Sequence, residues 1–158
     1  MRPDPSRYRP CVGAVIVNDD GRVWLGKRFG VDGPHCWQFP QGGTDGEPAE
    51  DALWRELHEE IGLRRSDVDV LDRTERELFY DFPDDVLSQG RFKTVGQRQH
   101  WFALRPVRAI DFVFDREDPP EFSDWRWASM HEAVERIIPF KRSVYEAVAG
   151  RFAHLWSG

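Results

Sequence analysis

Apolar and polar residues alternate along most of this chain with the period of a strand, and a few stretches switch to the period of a helix. "RPCVGAVIV" reads as a largely buried strand. "NDDG" then forms a hairpin-type turn, with Gly21 able to take positive φ, and "RVWLGKR" returns as the second strand. "HCWQFPQGG" is a short strand stopped by Pro40 and two glycines. "EPAEDALWRELHEEIGL" carries the helical period, with Pro48 suited to the first turn and Gly62 to a C-terminal cap. "VDVLDRTE", "ELFYDF" and "GQRQHWFALRP" are further strands. "SDWRWASM" is a strand running into a helix, where Ser129 and Glu132 offer a capping box. Pro139 breaks that pattern and opens a last helix through "FKRSVYEAVAGRFAHL". Two helices among about six or seven strands, with a late helix at the end, predict an α+β domain.

Length and composition narrow this picture. The 158 residues suit one domain, 1–158, with its own core. Hydrophobic residues make up 40% of the chain, with Trp and Phe spread along it, which excludes a disordered composition. No apolar run approaches the roughly 20 residues of a membrane span, and "MRPDPSRYRP" lacks the apolar core of a signal peptide. Cys11 and Cys36 form no metal or redox motif, so the expectation is a reduced, cytoplasmic protein; no membrane association and no stable protein partner are expected. The net charge of −6 argues against a chain that simply wraps nucleic acid. A polyanionic partner would need bound cations or a small basic pocket to overcome that field.

The acidic run "RELHEEIG" holds the chemistry. Three glutamates, Glu56, Glu59 and Glu60, crowd one helix, where like charges three and four apart repel. At about 100° per residue, Ala49, Leu53, Trp54, Leu57 and Ile61 form one apolar arc. Glu60 falls inside that arc, roughly 20° from Leu53. Glu56 lies at its edge and Glu59 further round. A solvated acidic face fits this placement poorly, because an unpartnered buried carboxylate is costly or protonates. Arg55 can steady Glu59, four residues on, but it is poorly placed for Glu56 and Glu60 together. A hard divalent cation, Mg²⁺ or Mn²⁺, suits shared carboxylates plus phosphate.

"GGTDGEPAEDALWRELHEEIGL" resembles the Nudix box. Glu47, Arg55, Glu56, Leu57, Glu59, Glu60, Gly62 and Leu63 match it in register. Four residues separate Gly42 from Glu47, one fewer than the motif has, so the contribution of Gly42 or Gly43 to a metal site departs from the pattern. "YRPCVGAVIVN", "WQFPQGG", "GQRQHWFAL", "EFSDWRW" and "PFKRSVYEAV" are similar to the bacterial RNA pyrophosphohydrolase and dinucleoside polyphosphate hydrolase branch, from Tyr8 to about Phe152.

The resemblance implies a Nudix fold, a mixed sheet sandwiched between helices. It also implies a hydrolase that uses Mg²⁺ or Mn²⁺ to cleave pyrophosphate links, in a 5′-triphosphate RNA end or in a dinucleoside polyphosphate such as diadenosine tetraphosphate. Carried over, Glu56, Glu59 and Glu60 hold the ions, with the Gly42 carbonyl as an extra ligand. Arg55 orients the carboxylates, and Glu47 is structural. Glu121 matches a further glutamate of the branch that contributes to catalysis; by chemistry alone Glu117 and Asp118 are its rivals. Arg9, Arg28, Gln97 and Lys141 match phosphate- or RNA-contacting positions. Phe140 matches a base-stacking position, and Tyr80 is another candidate contact. On the residues alone, Phe140 reads equally as core and Arg28 as an exposed strand end. Two other readings are a non-catalytic Nudix module that senses nucleotides and a hydrolase of mononucleotides.

Overall fold

The computed structural model describes residues 3–156. Its axis is the parallel pairing of β1 (Tyr8–Ile16) with β7 (Gly96–Pro106). β4 (Gln41–Gly43) pairs antiparallel with the free edge of β1. β5 (Val68–Arg73) and β6 (Leu78–Asp81) share the other edge of β7, each covering one half of it. Thr74 bridges the break between them: its amide donates to the Trp101 carbonyl, and its hydroxyl accepts from the Trp101 amide. A second sheet contains β2 (Val23–Arg28), flanked by β3 (Trp37–Gln38) and β8 (Phe122–Ala128).

Strand alternation gives the first sheet two apolar faces. Val12, Ala14, Ile16, Phe102 and Leu104 lie on one, packed with Leu53, Leu57 and Ile61 of α1 (Ala49–Ile61). Val15, Trp101 and Ala103 lie on the other, with Ala133 of α3 (Met130–Arg136) and Val144, Tyr145 and Val148 of α4 (Arg142–Arg151). The result is the expected α+β arrangement, a mixed sheet between helices. No helix among the described residues is long and apolar enough to cross a membrane.

Three details differ from the sequence expectation, and one short helix has no counterpart in it. The "WQFPQGG" strand ends before Pro40 as expected, but the two glycines belong to a new strand in the other sheet, with β3 on β2 and β4 on β1. Proline lacks a donor for a ladder, yet the Pro40 carbonyl still accepts from the Ala14 amide at 3.1 Å. After the "ELFYDF" strand, α2 (Asp84–Leu87) forms a single turn behind Pro83. The capping box at Ser129 is half made: its hydroxyl accepts from the Glu132 amide, but the Glu132 carboxylate turns to Arg126 and Arg136. The last helix is also broken into pieces, with 3₁₀ turns at Pro139–Lys141 and Ala153–Leu155 flanking α4.

Candidate active site

The helical wheel described α1 well. Glu60 is 4% exposed and sits among Leu53, Leu57 and Ile61. Its Oε2 atom is buried without a hydrogen-bond partner. Burial pushes its carboxyl well above the usual range, and Glu121, Glu56, Glu117 and Glu59 add to that push, in that order. Five carboxylates therefore share one field. Three come from α1 and two from the segment before β8.

Two contacts bring that segment to the helix. Gly62 caps α1 in the left-handed region at φ 73°, with its amide on the His58 carbonyl and the Leu63 amide on the Leu57 carbonyl. The Val113 amide then donates to the Ile61 carbonyl, and the Val113 side chain rests where a Cβ on Gly62 would stand. Further along, the Glu121 carbonyl accepts from the Phe29 amide at 2.9 Å, which fixes Glu121 beside Arg28 at the end of β2.

Arg55 is the hub of the carboxylates. Its Nε donates to Glu47, its Nη1 to Glu56 at 2.8 Å and more weakly to Glu59 at 3.5 Å, and its Nη2 to the Gly43 carbonyl at 3.0 Å. The helix-neighbour pairing with Glu59 is thus the weaker one, because the planar guanidinium is turned toward the Gly43 loop. These bonds, Glu47 first, hold the Arg55 cation more firmly protonated than usual. Glu56 still titrates above the ordinary range: burial raises it most, and Glu59 and Glu117 add to the rise against Arg55.

Sheet register places part of the substrate-facing row. Arg9 of β1, Gln97 of β7 and Tyr80 of β6 stand in one row across three strands. Gln97 is nearly buried and accepts from Gln99 at 3.0 Å, within a chain that also joins Gln41 and Trp101. Lys141 places its Nζ 5.8 Å from the Tyr80 ring centroid. Burial first, and then Arg28, pushes the Lys141 ammonium down to about 8, while Glu121 and Cys11 pull it back up. Burial pushes the Cys11 thiol up to about 11, against the nearby charges of Arg9 and Lys141. Phe140 is half-buried, 5.9 Å from Tyr80 between ring centroids, so it is both core and wall. Cys11, Thr44 and Glu47 line one side of a shallow cleft at the site. A cavity of about 520 Å³ lies beside Trp125 and Trp127 at the far end of β1.

The family model described as NUDIX domain matches residues 7–148. The chain belongs to the NUDIX domain family. A Caulobacter vibrioides protein named RNA pyrophosphohydrolase is 45% identical over 153 residues, covering 94% of this chain and 88% of that one. A Legionella pneumophila protein of the same name is 46% identical over 145 residues, covering 90% and 81%. The Escherichia coli dihydroneopterin triphosphate pyrophosphohydrolase structure superposes with TM-score 0.68 at 20% identity, covering 91% of this chain and 98% of that one. A Caenorhabditis elegans Ap4A hydrolase complex gives 0.63 at 16%, covering 91% and 98%. The last two are likenesses of fold.

Nudix hydrolases generally use divalent metal ions, and the donor set in this Nudix chain fits one. All five carboxylates are hard oxygen donors, and the Glu60 Oε2 atom lacks a partner. As the side chains stand, no three acidic, His or Cys groups among the described residues are already drawn around one point. Gly42 bears on the site sterically, since a Cβ there would overlap the Glu56 carboxylate. Gly42→Ala is expected to displace Glu56 and lower kcat/KM on the order of 10²-fold. The melting temperature should stay within a few degrees of wild type, because only the end of a side chain has to move. Steady-state kinetics and a thermal melt check both, and unchanged kcat/KM would remove Gly42 from the site.

One residue escaped the sequence reading. In the shortened loop Asp45 takes φ 51°, and its carboxylate lies 3.8 Å from Arg9 and 3.5 Å from Arg55. Asp tolerates that backbone better than most residues, and "TDG" was a legible turn signal. Both pairs reach solvent, so they orient the two arginines more than they stabilise the fold.

Proposed function

We propose that this chain is an RNA 5′-pyrophosphohydrolase that converts 5′-triphosphate RNA ends to 5′-monophosphate ends. The observation that carries the reading is that five carboxylates share one field around Glu60, with Arg9, Arg28 and Lys141 close enough to act on the same groups and Tyr80 and Phe140 beside Lys141. A polyphosphate with a base at one end matches that sequence of charges. The names carried by the Caulobacter and Legionella relatives support the same substrate.

In this reading Glu56, Glu59 and Glu60 hold Mg²⁺ or Mn²⁺, with the Gly42 carbonyl beside them. The ion supplies charge neutralisation on the phosphates and a more acidic water. Arg55 keeps the carboxylates in register through Glu56 and the Gly43 carbonyl. Glu121, held by its own carbonyl to Phe29, accepts the proton of the attacking water, with Glu59 and Glu60 also in catalytic roles. Arg9, Arg28 and Lys141 bind phosphate, Gln97 orients from the strand row, and Phe140 with Tyr80 meets a base. A phosphate against Lys141 restores the ammonium charge that burial weakens. The chain acts as one Nudix domain, and its two buried free thiols suit a reducing, cytoplasmic setting.

A dinucleoside polyphosphate offers the same phosphates and a stacking base, so it is the second substrate to measure. With Mg²⁺ or Mn²⁺ present, kcat/KM on triphosphorylated RNA should exceed that on diadenosine tetraphosphate by about tenfold, which corresponds to roughly 1.4 kcal/mol of extra transition-state binding. Inactivity on RNA beside turnover of the dinucleotide would replace the first reading with the second. Inactivity on both would return the chain to a nucleotide-binding module.

A further inference from the structure

We propose that Phe92, flanked by Arg91 and Lys93, is a stacking platform for an RNA base downstream of the one held at Phe140. The inference rests on the RNA reading above and extends it beyond the cleft.

The rings form a continuous path. Phe140 meets Tyr80 at 5.9 Å and Phe82 at 6.3 Å between centroids. Phe82 in turn stacks on Phe92 at 4.4 Å and 25°. Phe92 is 45% exposed, while Tyr80 and Phe82 are buried beneath the path. The Arg91 guanidinium lies 5.6 Å from the Phe92 centroid, and Lys93, next in the chain, is exposed. An aromatic ring between two cations is the pairing that single-stranded nucleic acid uses, a base on the ring and phosphates on the cations.

The loop that presents Phe92 is held at both ends. Before it, the Ser88 amide donates to the Asp84 carbonyl and the Gly90 amide to the Leu87 carbonyl. After it, the Phe82 amide donates to the Val95 carbonyl, and the Val95 amide to the Arg7 carbonyl. Asp84 and Asp85 lie in the first turn of α2. They repel a phosphate chain running further that way, so the platform serves a base close to the cleft and no long track.

The test compares a triphosphorylated dinucleotide with a triphosphorylated oligonucleotide on wild type, Phe92→Ala, Phe92→Tyr and the double variant Arg91→Gln/Lys93→Gln. Phe92→Ala should raise KM for the oligonucleotide by about fivefold or more, an effect of the size that stacking on one ring produces. Its effect on the dinucleotide should be several-fold smaller. Phe92→Tyr should restore the wild-type KM, and the double variant should weaken the salt dependence of oligonucleotide KM. Equal losses on the two lengths, or no loss on either, would overturn the platform. Wild-type inactivity on both RNAs would overturn the RNA reading and the platform with it.

Discussion

Glu60→Gln abolishes hydrolysis, with a loss on the order of 10³-fold in kcat, the scale set by removing a group that stabilises transition-state charge. Glutamine keeps the shape of the side chain and loses its charge. Glu60 is buried with one oxygen unpartnered, and its surroundings are four other carboxylates. Among the described residues no basic side chain pairs with that charge, and in the proposed mechanism a bound cation uses it. The sign of the stability effect follows from the direction of the shift. The folded state holds the Glu60 proton more tightly than the unfolded chain, whose carboxyl titrates near 4.5. In metal-free buffer that contribution is fully present below the unfolded value and is lost as pH rises through the raised folded value. Glu60→Gln should therefore melt at or above wild type at neutral pH in chelator, and its melting curve should fall less steeply as pH rises from acid. Added Mg²⁺ or Mn²⁺ should stabilise wild type and stabilise the variant much less. Retained turnover, or an equal metal-induced shift in both proteins, would remove Glu60 from the metal site.

Arg55→Lys lowers kcat about 10²-fold, the cost of reacting groups misplaced by about 1 Å. The guanidinium reaches Glu47, Glu56 and Glu59 and the Gly43 carbonyl from three nitrogens at once. An ammonium is a point charge with no planar fork, and it cannot span the helix and the loop together. Apparent metal affinity should fall by roughly 10- to 100-fold, as when other supports of metal ligands are removed. Stability should fall by about 1–3 kcal/mol, since charge-assisted bonds are lost while the charge remains. Measuring kcat, metal titration and melting on one variant separates orientation from folding. A variant that melts lower but turns over within threefold of wild type would leave Arg55 a purely structural residue.

Much of the candidate site was legible because α1 is local. The helical period depends on neighbours three and four residues apart, so the burial of Glu60 beside Leu53, Leu57 and Ile61 could be read from spacing alone. The cap at Gly62 followed for the same reason. The partner of Arg55 was read less well. Spacing offered Glu59, whereas the structure turns the guanidinium to Glu47 and Glu56, because the Gly43 carbonyl draws it to the loop. Pro40 was rightly read as a stop, but its carbonyl still pairs and the chain changes sheets across it.

By itself, then, the sequence determined the acidic helix, its buried carboxylate, the family and the class of chemistry. Each of these rests on residues within a few turns of one another, where backbone geometry sets who is neighbour to whom. Only the tertiary structure decided what faces that helix. Glu117 and Glu121 arrive through the hold of Val113 on the end of α1. Arg9, Gln97 and Tyr80 line up through the registers of β1, β7 and β6. Lys141 and Phe140 arrive at the turn before α4, and Asp45 enters through a loop one residue short. Those meetings depend on strand register and on packing across the sheet, which no periodicity in the chain records.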